Sequence, residues 1–207
     1  MNTAREFEKQ RNVSRETLHK LTIYEDLLRK WTPAINLVAK STLNSLWLRH
    51  FMDSSQVFDI APKNCSHWVD IGSGGGFPGM VAAILAADES PKTRFTLVES
   101  DGRKAAFLTA VGQATGITVS VRAERIETLS PLAADILTAR ALAPLDQLLD
   151  YADKHLKPTG TAFFPKGANH MPEVKQALEK WQFSLEKTVS KTDPAAVILT
   201  IGGIKRV

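Results

Sequence analysis

The sequence predicts an α/β fold: an open, mostly parallel sheet with an antiparallel hairpin at one edge and a helical extension at the N-terminus. Three observations predict it. The short apolar segment His67 to Ile71 runs into the glycine-rich stretch Gly72-Ser73-Gly74-Gly75-Gly76-Phe77-Pro78-Gly79 and then into a small, apolar helix, Met80 to Ala87. From His67 onward, strand and helix signals alternate with no linker or internal repeat, the pattern of parallel strands joined by crossover helices. Residues 1–65 instead show helical periodicity. The expected division is therefore an extension, 1–65, packed on a ligand-binding core, 66–207.

The extension is read from spacing. Leu18, Leu21, Tyr24, Leu28 and Trp31 recur every three or four residues and form one apolar stripe on a helix that Ser14 can cap. Thr32-Pro33 is expected to end that helix, and a second helical stretch carries Leu43, Leu46, Trp47 and Phe51. Basic residues outnumber acidic ones in this extension, which suits either a solvated helix face or a surface turned to RNA.

In the core, His67 to Ile71 reads as a buried parallel strand, and Pro78 fits the first turn of the helix that follows. Phe95 to Val98 is the second strand, followed by an amphipathic helix, Arg103 to Thr115, that Gly116 stops. Val119 to Val121 and Asp135 to Thr138 are the third and fourth strands, and Thr161 to Phe164 is the fifth. Glu173 to Trp181 reads as a helix, and Phe183 to Val189 pairs with Ala195 to Ile201 in the edge hairpin. In an open parallel sheet, ligands lie beyond the C-terminal ends of the strands, so topology gathers Gly72, Glu99, Glu124 and Arg140.

Composition limits the function classes. The 207 residues, 43% of them hydrophobic, suffice for one α/β domain and a modest extension. There are 26 Lys and Arg against 22 Asp and Glu, and the pI is near 9.2. So small a surplus fits an ordinary globular protein as well as one that meets polyanions. Cys65 is the only cysteine, which excludes an intrachain disulfide and a thiolate zinc cluster. No apolar run approaches the roughly 20 residues that span a bilayer, and no signal core opens the chain. A cytoplasmic protein without metal or membrane partner is expected.

The glycine loop admits two ligands. Gly74-x-Gly76-x-x-Gly79, with Glu99 twenty residues further on, satisfies the dinucleotide fingerprint of an NAD-dependent oxidoreductase. Asp70 at the strand end gives Asp-x-Gly-x-Gly-x-Gly, which resembles the first motif of class I S-adenosylmethionine-dependent methyltransferases, a Rossmann-like fold. An acid beside the turn favours that cofactor's ammonium and sulfonium and would repel a pyrophosphate.

Further motifs narrow the resemblance. Trp31-x4-Asn36-Leu37, Arg49-His50-x2-Asp53-Ser54, the Val69 to Gly79 loop, Glu99-Ser100-x2-Arg103-Lys104, Arg122-x-Glu124, Arg140-Ala141 and Lys166-Gly167 together resemble the bacterial 16S ribosomal RNA guanine-N7 methyltransferase family, also called glucose-inhibited division protein B. That resemblance covers nearly the whole chain. It implies S-adenosylmethionine as donor and, as acceptor, a guanine in the 530 loop of 16S ribosomal RNA, met as RNA or as the small ribosomal subunit by a monomeric enzyme. It places Asp70, Gly72, Gly74, Gly76, Phe77, Glu99, Ala123, Glu124 and Arg140 at the cofactor, with Glu99 on the ribose hydroxyls. Arg49, His50, Asp53, Arg103, Lys104 and Lys166 are the RNA-contact candidates, and His50, Arg140 and Lys166 the positioning candidates.

Guanine N7 carries no hydrogen and has an in-plane lone pair, so in-line displacement at the sulfonium methyl needs no general base. The sequence agrees: it has neither Asn-Pro-Pro-Tyr nor Asp-Pro-Pro-Tyr, and no cysteine follows the fourth strand. A non-catalytic RNA-binding protein that keeps the fold remains the alternative outside enzymology.

Overall fold

The computed structural model describes residues 3–207. Its organising strand is β1 (His67–Ile71), buried at all five residues, as expected for a strand covered on both faces. β1 pairs in parallel with β2 (Arg94–Val98) on one side and, on the other, with the strand Ala134–Thr138. With β3 (Ser120–Arg122) preceding that strand, β4, and with β5 (Leu156–Lys166), β6 (Trp181–Val189) and β7 (Val197–Arg206), the sheet order is β3-β2-β1-β4-β5-β7-β6. β7 pairs antiparallel with both β5 and β6, so the expected edge hairpin is present. The strand order reverses between β1 and β4, and a ligand crevice opens at the carboxyl ends of these two strands.

Side-chain alternation along the strands separates two apolar layers. Trp68, Phe95, Leu97, Ile136 and Phe163 face α4 (Gly79–Glu89) and α5 (Gly102–Thr115). Val69, Ile71, Leu137, Phe164 and Leu199 face the two helices Leu145–His155 and His170–Ala177. The N-terminal helices α1 (Ala4–Arg11), α2 (Arg15–Ile35) and α3 (Asp53–Ile60) join the first layer. The later pair are therefore α6 and α7.

Ser14 caps α2 as expected, its hydroxyl accepting from Thr17 N at 3.0 Å. Of the expected stripe, Leu21, Tyr24 and Leu28 are fully buried, and Leu18 and Trp31 pack partly against the same layer. Phe7, Tyr24, Trp47, Phe51 and Phe77 form a chain of ring contacts with centroids 4.7–5.8 Å apart. Each such pair contributes about 0.5–1.5 kcal/mol beyond its buried area, which ties the extension firmly to the glycine loop.

Several boundaries differ from expectation. α2 continues through Pro33 to Ile35 and ends where Asn36 turns left-handed, its amide bonding Thr32 O at 2.9 Å. A proline in the last turn forfeits one donor, so the left-handed residue sets the end. The second helical stretch is a 3₁₀ turn (Lys40–Ser45), a π-helical turn (Trp47–Met52) and then α3. β5 begins five residues before Thr161, α7 begins at His170, and Trp181 opens β6 instead of closing a helix. α1 and α6 were not expected, although Leu145, Leu148, Leu149 and Ala152 in α6 carry a helical period.

Candidate functional site

The loop that leaves β1 at the reversal point uses its glycines for different purposes. Gly74 has φ 53°, and a Cβ built there would have no other heavy atom nearer than 3.8 Å, so this position opens toward the crevice. Gly76 has φ 95°, but a Cβ there would strike the Tyr24 hydroxyl and lie 2.9 Å from Met80 Cβ. It is a packing glycine. Gly72 lies under Leu142, whose Cδ1 would be 2.5 Å from a Cβ.

Glu99, immediately after β2, ties the loop to the neighbouring strand. Its Oε2 accepts from Gly74 N at 2.7 Å and its Oε1 from Asp101 N at 2.8 Å. Only 8% of Glu99 is exposed, yet each oxygen keeps a further acceptor site. From the other side, the Tyr24 hydroxyl donates to Gly75 O, and the Tyr24 ring stacks on Phe77 at 5.5 Å and 19°. Burial pushes the Tyr24 pKa well above its ordinary value, so the hydroxyl stays a donor.

Two expected cofactor contacts are corrected here. Asp70 is fully buried behind the loop, its Oδ1 accepting from Thr138 Oγ1 at 2.6 Å and its Oδ2 packed against Gly79 without a hydrogen-bond partner. Burial raises its pKa to about 6, opposed by the Thr138 bond. Asp70 therefore joins β1 to β4 and presents no exposed atom to the crevice. The Phe77 ring is likewise core, because it lies between Tyr24 and His50 and under the Arg140 guanidinium, 5.0 Å from its centroid.

The second half of the site is a polar cluster around Arg140, which follows β4. Its Nη1 donates to Asp53 Oδ2 at 3.2 Å and to Arg49 O at 3.3 Å, and its Nη2 donates to His50 Nδ1 at 2.8 Å. A guanidinium only donates, so Nδ1 is the acceptor and the His50 proton sits on Nε2, which bonds Thr42 Oγ1 at 2.9 Å. Burial, then the Arg140 charge, then that of Arg49, lowers the His50 pKa to about 3. His50 is thus neutral with its basic lone pair occupied, instead of titrating near 6.5. The π-helical turn carries Arg49 and His50 and leads into Asp53, and Ala141, at φ 54°, turns the chain sharply beyond Arg140. Non-glycine residues in that region cost about 1–2 kcal/mol, strain found at working sites.

This cluster borders a cleft of about 880 Å³ between the π-turn, the loop after β4, the end of β5 and the β6–β7 tip. The tip was not foreseen as part of the site. Thr192 Oγ1 donates to Asp53 Oδ1 at 3.0 Å, Gln56 accepts from Lys191 N at 2.6 Å, and Arg49 pairs with Asp193 at 3.4 Å. Lys166 lines the cleft but is held at its wall. Its Nζ bonds Ala143 O at 2.9 Å and Glu173 Oε2 at 2.7 Å, and Glu173 also accepts from Leu145 N at 2.9 Å, so together they pin the loop that bears Arg140.

Arg103 and Lys104 are not brought to this cluster. Arg103 pairs with its own helix cap, Asp101, at 3.2 Å, and neither residue lines the cleft. Ala123 and Glu124 are exposed just past β3, beside Glu99 through the Glu99 N to Arg122 O bond. Among the described residues no group of His, Cys, Asp and Glu is placed to hold a metal, and no helix is long and apolar enough to cross a membrane.

The loop residues suit the cofactor implied by the resemblance. Glu99 has acceptor sites left for two ribose hydroxyls, Gly74 leaves room for close approach, and the buried Asp70 carboxylate below would favour an ammonium and a sulfonium.

Comparison with known proteins adds three findings. The family model GidB, described as rRNA small subunit methyltransferase G, matches residues 17–196. The ribosomal RNA small subunit methyltransferase G of Ruegeria pomeroyi is 55% identical over 196 residues, 95% of this chain and 96% of the relative, and that of Ruegeria sp. TM1040 is 52% identical over 95% of each. The solved O-methyltransferase from Bacillus cereus, in complex with SAH, superposes with a TM-score of 0.61 over 96% of both chains at 13% identity, a likeness of fold.

Proposed function

The chain belongs to the GidB family of ribosomal RNA small subunit methyltransferases, and from that premise we propose that it methylates N7 of a guanine in the 530 loop of 16S ribosomal RNA. It is an S-adenosylmethionine-dependent methyltransferase, and the oxidoreductase reading of the glycine loop falls with that assignment.

One observation carries the choice of N7: the His50 Nδ1 lone pair, in the cleft beside the glycine loop, is taken by Arg140. An amino or hydroxyl acceptor must lose a proton on methylation, whereas N7 has none to lose. Asp53 serves as the counter-ion of Arg140 and also accepts from Thr192. The cleft polar groups thus support a reaction that asks for alignment.

The bound cofactor supplies an electrophilic methyl group. Glu99, braced by the Gly74 amide, fixes the ribose end, and Asp70 contributes negative potential beneath the loop. Arg140, oriented by His50, Asp53 and the Phe77 face, holds the acceptor nucleotide against the donor. Lys166 and Glu173 keep the Arg140 loop in place. Holding the two reactants at attack distance supplies about 7–11 kcal/mol of the barrier. In this reading residues 1–65 build one cleft wall and back the glycine loop, while 66–207 bind the cofactor.

The test is incubation with unmethylated small subunits, and separately with naked 16S RNA, followed by mapping of the modified base. Methylation at N7 of a guanine in the 530 loop is expected. Methyl transfer to an exocyclic amine or a ribose oxygen would overturn the choice of atom, and RNA binding without transfer would leave a non-catalytic protein.

A further inference from the structure

From the amino ends of β1 and β2, a second groove of about 610 Å³ runs along the β2–β3 edge as far as Arg122, the strand partner of Val98. Lys92, Arg94 and Arg122 line it, with the hydroxyls of Thr96 and Ser120 between them, and no aspartate or glutamate does. Register explains the arrangement: Thr96 pairs with Ser120 and Val98 with Arg122, and alternation puts Arg94 and Thr96 on one face. That face of the β2–β3 edge therefore reads Arg94, Thr96, Ser120, Arg122.

Several cations of the chain are neutralised by carboxylates. Arg11 pairs with Asp59 and Glu89, Lys157 with Asp135, and Lys166 with Glu173. Among the described residues Lys92, Arg94 and Arg122 have no side-chain hydrogen bond or ion pair, and all three are exposed. Asp88 on the neighbouring helix accepts from Ser14 and Thr17 and Glu89 from Arg11, while Asp135, bonded to the backbone of His67 in the groove wall, pairs with Lys157. Ser90, in the groove wall, keeps a buried Oγ without a partner. A strip of free cations beside the exposed Ser120 hydroxyl, with no carboxylate in its lining, suits phosphate groups, while the Thr96 hydroxyl is held by His67 at 2.9 Å.

We propose that this groove is a second docking track for the phosphate backbone of the RNA substrate, an assignment that rests on the RNA methyltransferase reading above. β2 runs from Arg94 to Val98, and Glu99 follows it, so the track starts about 15 Å below the cofactor loop at strand rise. A folded ribosomal RNA is large enough to span both places. The groove adds affinity without touching the reaction, and it holds the RNA on the side of the sheet edge opposite the β6–β7 hairpin.

The double variant Lys92→Gln/Arg94→Gln tests this, because both side chains are exposed and neither lies in the cleft or the glycine loop. Its melting temperature and S-adenosylmethionine affinity should match wild type. Binding to small-subunit RNA, measured over a salt series, should show a log-log slope smaller by roughly 1.4–1.8, two phosphate contacts' worth. In methyl transfer the RNA KM should rise roughly tenfold at moderate salt, with kcat unchanged. A variant with wild-type slope and KM, beside a wild type that binds and methylates RNA, overturns the groove alone. A wild type that neither binds RNA salt-dependently nor methylates it overturns the functional reading and the groove with it.

Discussion

The amide of Gly74 donates a 2.7 Å hydrogen bond to Glu99 Oε2, which makes the loop after β1 and the acid after β2 one unit. Glu99→Ala should therefore act twice, by removing the acceptor for the ribose and by freeing Gly74. Hydrogen bonds to a charged group contribute about 1.5–3 kcal/mol, so S-adenosylmethionine should bind roughly 10- to 150-fold more weakly by titration calorimetry. An unchanged dissociation constant would place Glu99 outside the cofactor's reach.

Two glycines of the same loop should respond oppositely to one added methyl group. Gly74→Ala meets open space, so the protein should fold with a loss of about 1–2 kcal/mol from the left-handed backbone, while cofactor binding collapses because the methyl occupies the ligand's side. Gly76→Ala drives the methyl into Tyr24 and Met80, so folding itself should fail. Thermal melts paired with calorimetry separate the two, and equal melting temperatures for both variants would refute the assignment.

Tyr24→Phe keeps the ring stacked on Phe77 but leaves the Gly75 carbonyl without its donor. A buried group left unsatisfied costs about 1–3 kcal/mol, and the loop it steadied should bind S-adenosylmethionine several-fold more weakly. Phe107→Leu, a packing change in the same aromatic group, should lower the melting temperature and leave cofactor affinity intact. If Tyr24→Phe behaves as Phe107→Leu does, the hydroxyl serves stability alone.

These positions also show what the sequence made legible. The β1 strand, the glycine turn and α4 are contiguous, so burial and backbone demands are written in neighbouring letters. Glu99 follows from topology, because strand ends converge on one lip. Contacts such as Tyr24 with Gly75, or Gln56 with Lys191, join segments 51 and 135 residues apart and leave no local periodicity to read. The inward turn of Asp70 and Phe77 was hidden for a related reason. A loop motif names its residues without saying which side chains face the ligand and which face the core. The partners of Lys166, the Ala143 carbonyl and Glu173, were not legible, because a lysine after a strand does not name what it bonds across a loop.

The depressed His50 pKa has a consequence for stability. His50 holds a folded pKa of about 3 against 6.5 unfolded, so it contributes stability above pH 6.5 that is lost as acid protonates the unfolded chain. By pH 5 that loss is roughly 2 kcal/mol. Asp70 has the opposite sign: its folded pKa, raised to about 6, makes stability rise as pH falls through that value. Wild type should thus lose less stability between pH 6 and 4 than His50 alone dictates. His50→Gln should become progressively more stable relative to wild type on acidification, and Asp70→Asn progressively less, in denaturant titrations at stepped pH. Parallel profiles for wild type and His50→Gln would contradict the buried neutral imidazole.

The same imidazole decides the chemistry. With Arg140 donating to Nδ1 and the proton on Nε2, His50 has no free lone pair for a substrate proton. Single-turnover rates at saturating RNA and cofactor isolate the methyl-transfer step. With N7 as the proposed acceptor they should be nearly flat from about pH 6.5 to 9, since neither that atom nor a neutral His50 changes protonation there. Cys65→Ala should retain full activity, because the thiol lies at the start of β1, far along the strand from the loop. His50→Gln should raise the RNA KM and lower the rate by misaligning Arg140, without adding or removing an apparent pKa. Arg140→Lys should be more damaging, because an ammonium cannot reach His50, Asp53 and the Arg49 carbonyl together from the Phe77 face. A rate that climbs log-linearly with pH and levels at a pKa abolished in His50→Gln would make His50 a base after all, and would move the acceptor from N7 to an atom that carries hydrogen.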